Sequence, residues 1–145
     1  MTDRLPCHER FAGLTLRAMN HLFLIAAGGA LGALARHGVN QASLRWIGPE
    51  FPWGILAVNV LGSLAIGALV GWVALAGRPD ATEIRFALGV GFLGAFTTMS
   101  AFALDVVLMI ERREFLLAFA YAGGSVVLSV LAVMAGLILV RTLMA

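Results

Sequence analysis

Hydrophobic and polar positions divide the chain into four apolar blocks separated by short polar connections. The clearest charge-free runs are Gly54 to Ala76 and Phe115 to Val140, each longer than the ~20 residues a helix needs to cross a hydrocarbon core. Between them, Phe86 to Leu104 is uncharged and bounded by Arg85 and Asp105, long enough to span although rich in Gly, Thr and Ser. The first block is the shortest. Leu22 to Ala35 is apolar, and reaching ~20 residues means continuing through Arg36, His37, Asn40 and Gln41. Its second half must therefore face protein or water instead of lipid. The pattern predicts an all-α membrane protein with four transmembrane helices, over approximately 22–46, 54–76, 84–110 and 115–141, in one domain covering 19–145.

A cleaved signal peptide is the competing reading of the first block, since Ala33-Leu34-Ala35 has a small-residue cleavage pattern. Gly28 and Gly32, spaced for close helix contact, and the three spans that follow argue against it. Residues 1–18 carry both charge signs and no span, and are expected to be an N-terminal tail or to precede a true start at Met19. Trp53 and Trp72, near the two ends of the second span, suit interfacial anchors.

Composition agrees with the pattern and narrows the function. Residues of the hydrophobic class make up 61% of the 145 and charged residues 12%, about half the ~25% of a soluble domain. The chain has too little polar surface to cover a globule in water and no room for a separate catalytic domain. All ten bases are Arg, spread along the chain against eight acids for a net charge of +2, so nucleic acid is excluded as a partner. The single Cys7 allows no internal disulfide, and His8, His21 and His37 are scattered. No nucleophile–base pair or metal-ligand spacing lies within the spans, and no enzyme chemistry is indicated.

Charge gives almost no orientation signal. Counted from Met19, Arg78, Arg85 and Arg141 face one side, and Arg36, Arg45, Arg112 and Arg113 the other; Arg4, Arg10 and Arg17 would turn three against four into six against four. A chain so balanced is able to insert both ways, and two opposite copies would form an antiparallel dimer about an axis in the membrane plane.

Polar groups inside the spans are costly to bury unpaired, so the few present are the candidates for function. Asn59 stands alone in the second span on a face shared with Ser63, Gly67 and Gly71, a stripe that reads as a packing seam. Its amide is either a structural hydrogen bond between helices or a pore-lining donor. In the third span Gly89, Gly91 and Gly94 precede Thr97, Thr98 and Ser100. Glycine costs about 1 kcal/mol per interior helix position and hydroxyls compete for backbone partners, which predicts a break around Gly94 to Thr98, against the reading of a Gly-rich packing face on an unbroken helix. Freed backbone groups at membrane depth suit ion binding. Tyr121, Ser125 and Ser129 share one face of the fourth span, either as a hydroxyl track or as side chains bonded to their own helix. An interior of neutral donors without fixed charge suits a small, strongly hydrogen-bonding ion.

These residues resemble the CrcB/Fluc fluoride channels. The resemblance runs from the Met19 region to the C-terminus. It is carried by Gly28-Gly29, Gly32-Ala33 and Arg36; by Val58-Asn59 and Gly62-Ser63; by Gly91-Phe92, Gly94, Thr97-Thr98, Ser100 and Phe102; and by Tyr121-Ala122-Gly123 with Ser125. It implies a bacterial inner-membrane protein, an antiparallel dual-topology homodimer with a third helix broken mid-membrane, and two pores that let toxic fluoride leave the cytoplasm passively. It further implies that Asn59 donates to fluoride, that Phe102 presents its ring edge, and that Tyr121, Ser125 and Ser129 continue the path. Gly94 and Thr97 would offer backbone carbonyls to a structural sodium ion at the dimer centre. Arg36 would sit near a vestibule or brace the dimer, and Asp105 would be a vestibule acid or an arginine partner. One departure is notable: the family's Thr-Thr-Phe-Ser-Thr-Phe is here Thr97-Thr98-Met99-Ser100-Ala101-Phe102, so Met99 replaces one of two pore aromatics. Phe96 is a candidate substitute. The competing classes are a proton-coupled exporter of the small multidrug-resistance type, which needs a carboxylate deep in the bilayer, and a non-transporting membrane subunit.

Overall fold

The computed structural model describes residues 7–77 and 80–144; the expectations placed on residues 1–6 and on Arg78 lie outside them. The described residues are helical almost throughout: α1 (Cys7–Trp46), α2 (Trp53–Ala76), α3 (Ala81–Ile84), a π-helix π1 (Arg85–Leu93), α4 (Gly94–Phe96), α5 (Met99–Glu111) and α6 (Phe115–Met144). Four stretches are long and apolar enough to cross a membrane: Met19–Trp46, Trp53–Leu75, Ala81–Glu111 and Phe115–Met144. The expected spans are thus present; the second matches its apolar run in length, and the other three extend past theirs, the first and third by the most. Charge at a run's end does not stop a helix; backbone chemistry does. Helix α2 starts behind Pro52 and stops at Gly77, which takes the left-handed conformation at φ 53°. Helix α1 runs back to Cys7, into the stretch expected to be a tail.

The turn between α5 and α6 is tight. Arg113 adopts φ 62°, a left-handed conformation rare for a residue with a Cβ, and its N–H donates to Ile110 O at 2.9 Å.

Packing joins the helices in two close pairs, α2 with α6 and α1 with π1. Small residues make the first pair possible. A Cβ on Gly67 would collide with the Val133 carbonyl oxygen and one on Gly136 with that of Leu64, so each helix sets its backbone into a gap in the other. Gly28 and Gly32 do the same for α1 against the carbonyls of Ala87 and Phe92. A Cβ on Gly71 would meet α6, the Leu137 carbonyl included, only at ordinary van der Waals distances. The buried core is small, centred on Ile55, Phe102, Met109, Ala118 and Tyr121. Large apolar side chains such as Leu116, Phe119 and Val127 face outward, as lipid contact allows and water does not.

Candidate functional site

The third span lapses from helical geometry at two residues. Thr97 (φ −76°, ψ 157°) and Thr98 (φ −151°, ψ 118°) are extended, and α5 restarts at Met99 with Thr98 as its N-cap, the side-chain oxygen accepting from Ala101 N at 3.3 Å. Helix α2 faces this segment. Gly62 leaves room for the Thr97 methyl, which a Cβ there would strike. Asn59 then reaches the backbone of Thr98 with both ends of its amide: Nδ2 donates to Thr98 O at 3.1 Å and Oδ1 accepts from Thr98 N at 2.8 Å. From α1, Arg36 Nη1 donates to Thr97 O at 3.4 Å. Thr97 Oγ1 donates to Leu93 O at 3.0 Å.

Two backbone carbonyls lose their usual donors as a result. In a continuous helix Thr98 N would serve Gly94 O and Ala101 N would serve Thr97 O; here the first goes to Asn59 and the second to the Thr98 side chain. A carbonyl oxygen has two lone pairs, so Thr97 O retains one beside Arg36. Gly94 and Thr97 together offer neutral oxygen ligands of the kind a hard cation takes, and their chemistry fits a sodium ion. Among the described residues no group of three or more His, Cys, Asp or Glu is placed to hold a metal.

A cavity of about 520 Å³ opens beside this segment. Asn59, Ser63, Met99, Phe102, Ser125 and Ser129 line it, so five of the six residues expected along the ion path surround one space. Ser125 carries the sharpest signal: it is 5% exposed, and its Oγ is buried without a hydrogen-bond partner. The reading in which this serine bonds to its own helix therefore does not hold. Met99 is 71% exposed on the open side of the cavity.

Tyr121 stands apart. It is 3% exposed, its ring packs against Phe51 and Phe102 with centroids 5.3 Å away in each case, and its hydroxyl donates to Asp105 Oδ2 at 3.4 Å. It does not line the cavity with the two serines. Asp105 lines a second, smaller cavity with Asn40, Glu50 and Arg112 near the ends of α1, α2 and α5. Phe96 stacks on Phe92 at 5.8 Å and 11°, lies beside Gly62, and is absent from the cavity wall.

Sequence reasoning missed three features. Arg36, expected near a vestibule or bracing the dimer, reaches the extended segment; its place in a span that had to face protein or water hinted at a protein partner but not at which one. Ser63, read as part of a packing seam, lines the cavity. The nine-residue π-helix had no sequence signal beyond the glycines of π1.

Similarity to known proteins covers the same region. The model of the family described as CrcB-like protein, Camphor Resistance (CrcB), matches residues 23–137. A protein of Phenylobacterium zucineum (strain HLK1) named fluoride-specific ion channel FluC is 50% identical over 127 residues, 88% of this chain and 100% of the relative. Proteins of the same name from Caulobacter sp. (strain K31) and Sphingopyxis alaskensis are 48% and 49% identical over 123 and 125 residues, covering 85% and 86% of this chain and 96% and 98% of the relatives. On a family match that takes in all four apolar helices and the segment between Asn59 and Arg36, the chain belongs to the CrcB family.

Proposed function

We propose that this chain is a fluoride-specific ion channel, a multi-pass protein of the bacterial inner membrane that lets fluoride leave the cytoplasm passively. The single observation that carries this reading is the unpartnered, buried hydroxyl of Ser125 on the wall it shares with Asn59 and Ser129. An orphaned donor in an apolar layer costs about 1–3 kcal/mol unless something transient accepts from it. Fluoride is the smallest halide and the strongest hydrogen-bond acceptor among them. Asn59 keeps one Nδ2 hydrogen beyond the one given to Thr98 O, and Phe102 sits on the same wall to offer its electropositive ring edge. These groups replace lost hydration without a fixed charge that would trap the ion. The relatives named as fluoride-specific channels support the same substrate.

The finer parts of the reading concern assembly. The channel is an antiparallel, dual-topology homodimer with the interruption at Thr97 and Thr98 near mid-membrane. Exposed Met99 and the open side of the cavity leave a wall for a second copy to complete, and the balanced arginine count removes the barrier to opposite insertion. Sodium, held by the carbonyls of Gly94 and Thr97 from both copies, supplies a fixed central charge that joins them. Met99 takes the place of an aromatic with a polarizable thioether. Tyr121 acts one layer back, backing Phe102 and holding Asp105 near the mouth.

The test is anion efflux from proteoliposomes containing the purified full chain, comparing fluoride with chloride in the presence and absence of sodium. Fluoride leaves rapidly and chloride at the rate of empty vesicles. Fluoride efflux equal to that of empty vesicles overturns the reading, and fluoride efflux that is the same with and without sodium removes the cation from it.

A further inference from the structure

Arg36 Nη1 donates to Thr97 O at 3.4 Å, and Asn59 Oδ1 accepts from Thr98 N at 2.8 Å. The C=O of Thr97 and the N–H of Thr98 belong to one peptide group. That group is planar and rigid, so a side chain from α1 grips one edge and a side chain from α2 grips the other. Rotation of the plane would break both bonds together. We infer that Arg36 is a positioning residue: with Asn59 it pins the Thr97–Thr98 peptide plane and thereby aims the backbone groups of the extended segment at the ion path.

Several observations make the grip more than incidental. Arg36 is half-buried within the first span, where a guanidinium is costly without a partner. Among the described residues its hydrogen bond is to Thr97 O. Neither threonine can hold the plane alone: the Thr97 hydroxyl is turned to Leu93 O, and that of Thr98 to Ala101 N and Ser100 Oγ. A guanidinium suits the task because its charge strengthens the bond and its planar fork keeps the donor aimed. Asn59 therefore reaches the cavity from a side chain already fixed at its far end, and its orientation depends on the plane that Arg36 holds.

The chain contains one Thr-Thr pair, which makes the peptide visible by itself. In protein grown with 13C-carbonyl and 15N threonine, the one directly bonded carbon–nitrogen pair is Thr97 C–Thr98 N. Solid-state NMR of the full chain in lipid then reads both grips: carbon reports Arg36, nitrogen reports Asn59. In Arg36→Gln the carbon signal moves upfield while the nitrogen shifts less, and fluoride efflux per folded protein falls about tenfold, the loss expected for one charge-assisted bond. Arg36→Lys, which keeps a charged donor on a shorter reach, recovers part of both. A residue that merely braces the fold would lower the yield and leave the carbon signal and the flux per channel unchanged. An unmoved carbon signal in Arg36→Gln overturns the inference, and so does a moved signal with wild-type flux. Should Arg36→Gln not fold, Arg36→Lys decides alone, on whether a smaller carbon shift accompanies a smaller flux loss. The flux arm rests on the channel reading; wild-type protein that carries no fluoride defeats that reading, while the carbon signal still decides the grip.

Discussion

Helix α2 meets two neighbours with one stripe of residues, and treats them differently. Its C-terminal half sets Gly67 against an intact helix, where the Val133 carbonyl fills the space a side chain would need. Its N-terminal half sets Asn59 against Thr97 and Thr98, whose extended backbone asks for partners. The positions repeat every four residues throughout. What differs is the state of the backbone opposite: a satisfied helix calls for nothing but proximity, and an N–H that has left the helix ladder calls for an acceptor. The first junction is closed, backbone against backbone, while the second borders a cavity with an orphaned hydroxyl. One face of one helix thus combines assembly and transport.

The contrast is broken most severely at the close-packed junction. Gly67→Val places a branched side chain where the Val133 backbone already stands, and backbone does not step aside as a flexible side chain does. Overpacking of this kind costs about 1–3 kcal/mol or more, so the variant yields little folded protein, measured as monodisperse protein recovered in detergent. At the polar junction, Asn59→Ala leaves the N–H of buried Thr98 without its acceptor and removes a second donor from its C=O, which as N-cap carbonyl keeps its bond within α5. An orphaned buried N–H costs about 1–3 kcal/mol, so fluoride efflux falls by up to about a hundredfold and thermal stability drops with it. Ser125→Ala has the smallest and most telling effect. Its hydroxyl has no partner to lose, so the melting temperature stays level or rises, while efflux falls several-fold. A drop in stability equal to that of Asn59→Ala would mean the hydroxyl serves the fold.

How much of this was legible in the sequence follows the same division. Four apolar helices were readable because three of the runs are charge-free over about a bilayer's thickness, while the first had to be carried through Arg36; the second was placed to within one residue of the bounds that Pro52 and Gly77 set. Composition pointed to the stretch from Gly94 to Thr98; which residues leave helical geometry depends on Asn59, 39 positions away from Thr98, a pairing no local pattern contains. Arg36 is 61 positions from the carbonyl it holds. The regular spacing of Tyr121, Ser125 and Ser129 suggested one continuous track, yet a long ring carries the Tyr121 hydroxyl past the cavity to Asp105 while the short serines stay at the wall. Periodicity assigns a face, and side-chain length decides what that face reaches. The π-helix was illegible for a related reason: Gly28 and Gly32 on another helix make the room beside the wider turn at Ala87 and Phe92.

The tight turn after α5 has a consequence for how the protein enters the membrane. Glu111, Arg112, Arg113 and Glu114 place four ionisable side chains in succession at the tip of a hairpin, with Arg113 holding a backbone conformation that glycine would take without strain. Drawing an arginine through the bilayer centre costs at least about 2.5–3.5 kcal/mol, and the tip must move as a unit because α5 and α6 are packed together. Under the proposed dual topology, each copy's heading is therefore decided at the translocon and never revised. The ratio of the two orientations becomes an inheritance of synthesis, and the yield of working pairs is capped by whichever heading is the scarcer.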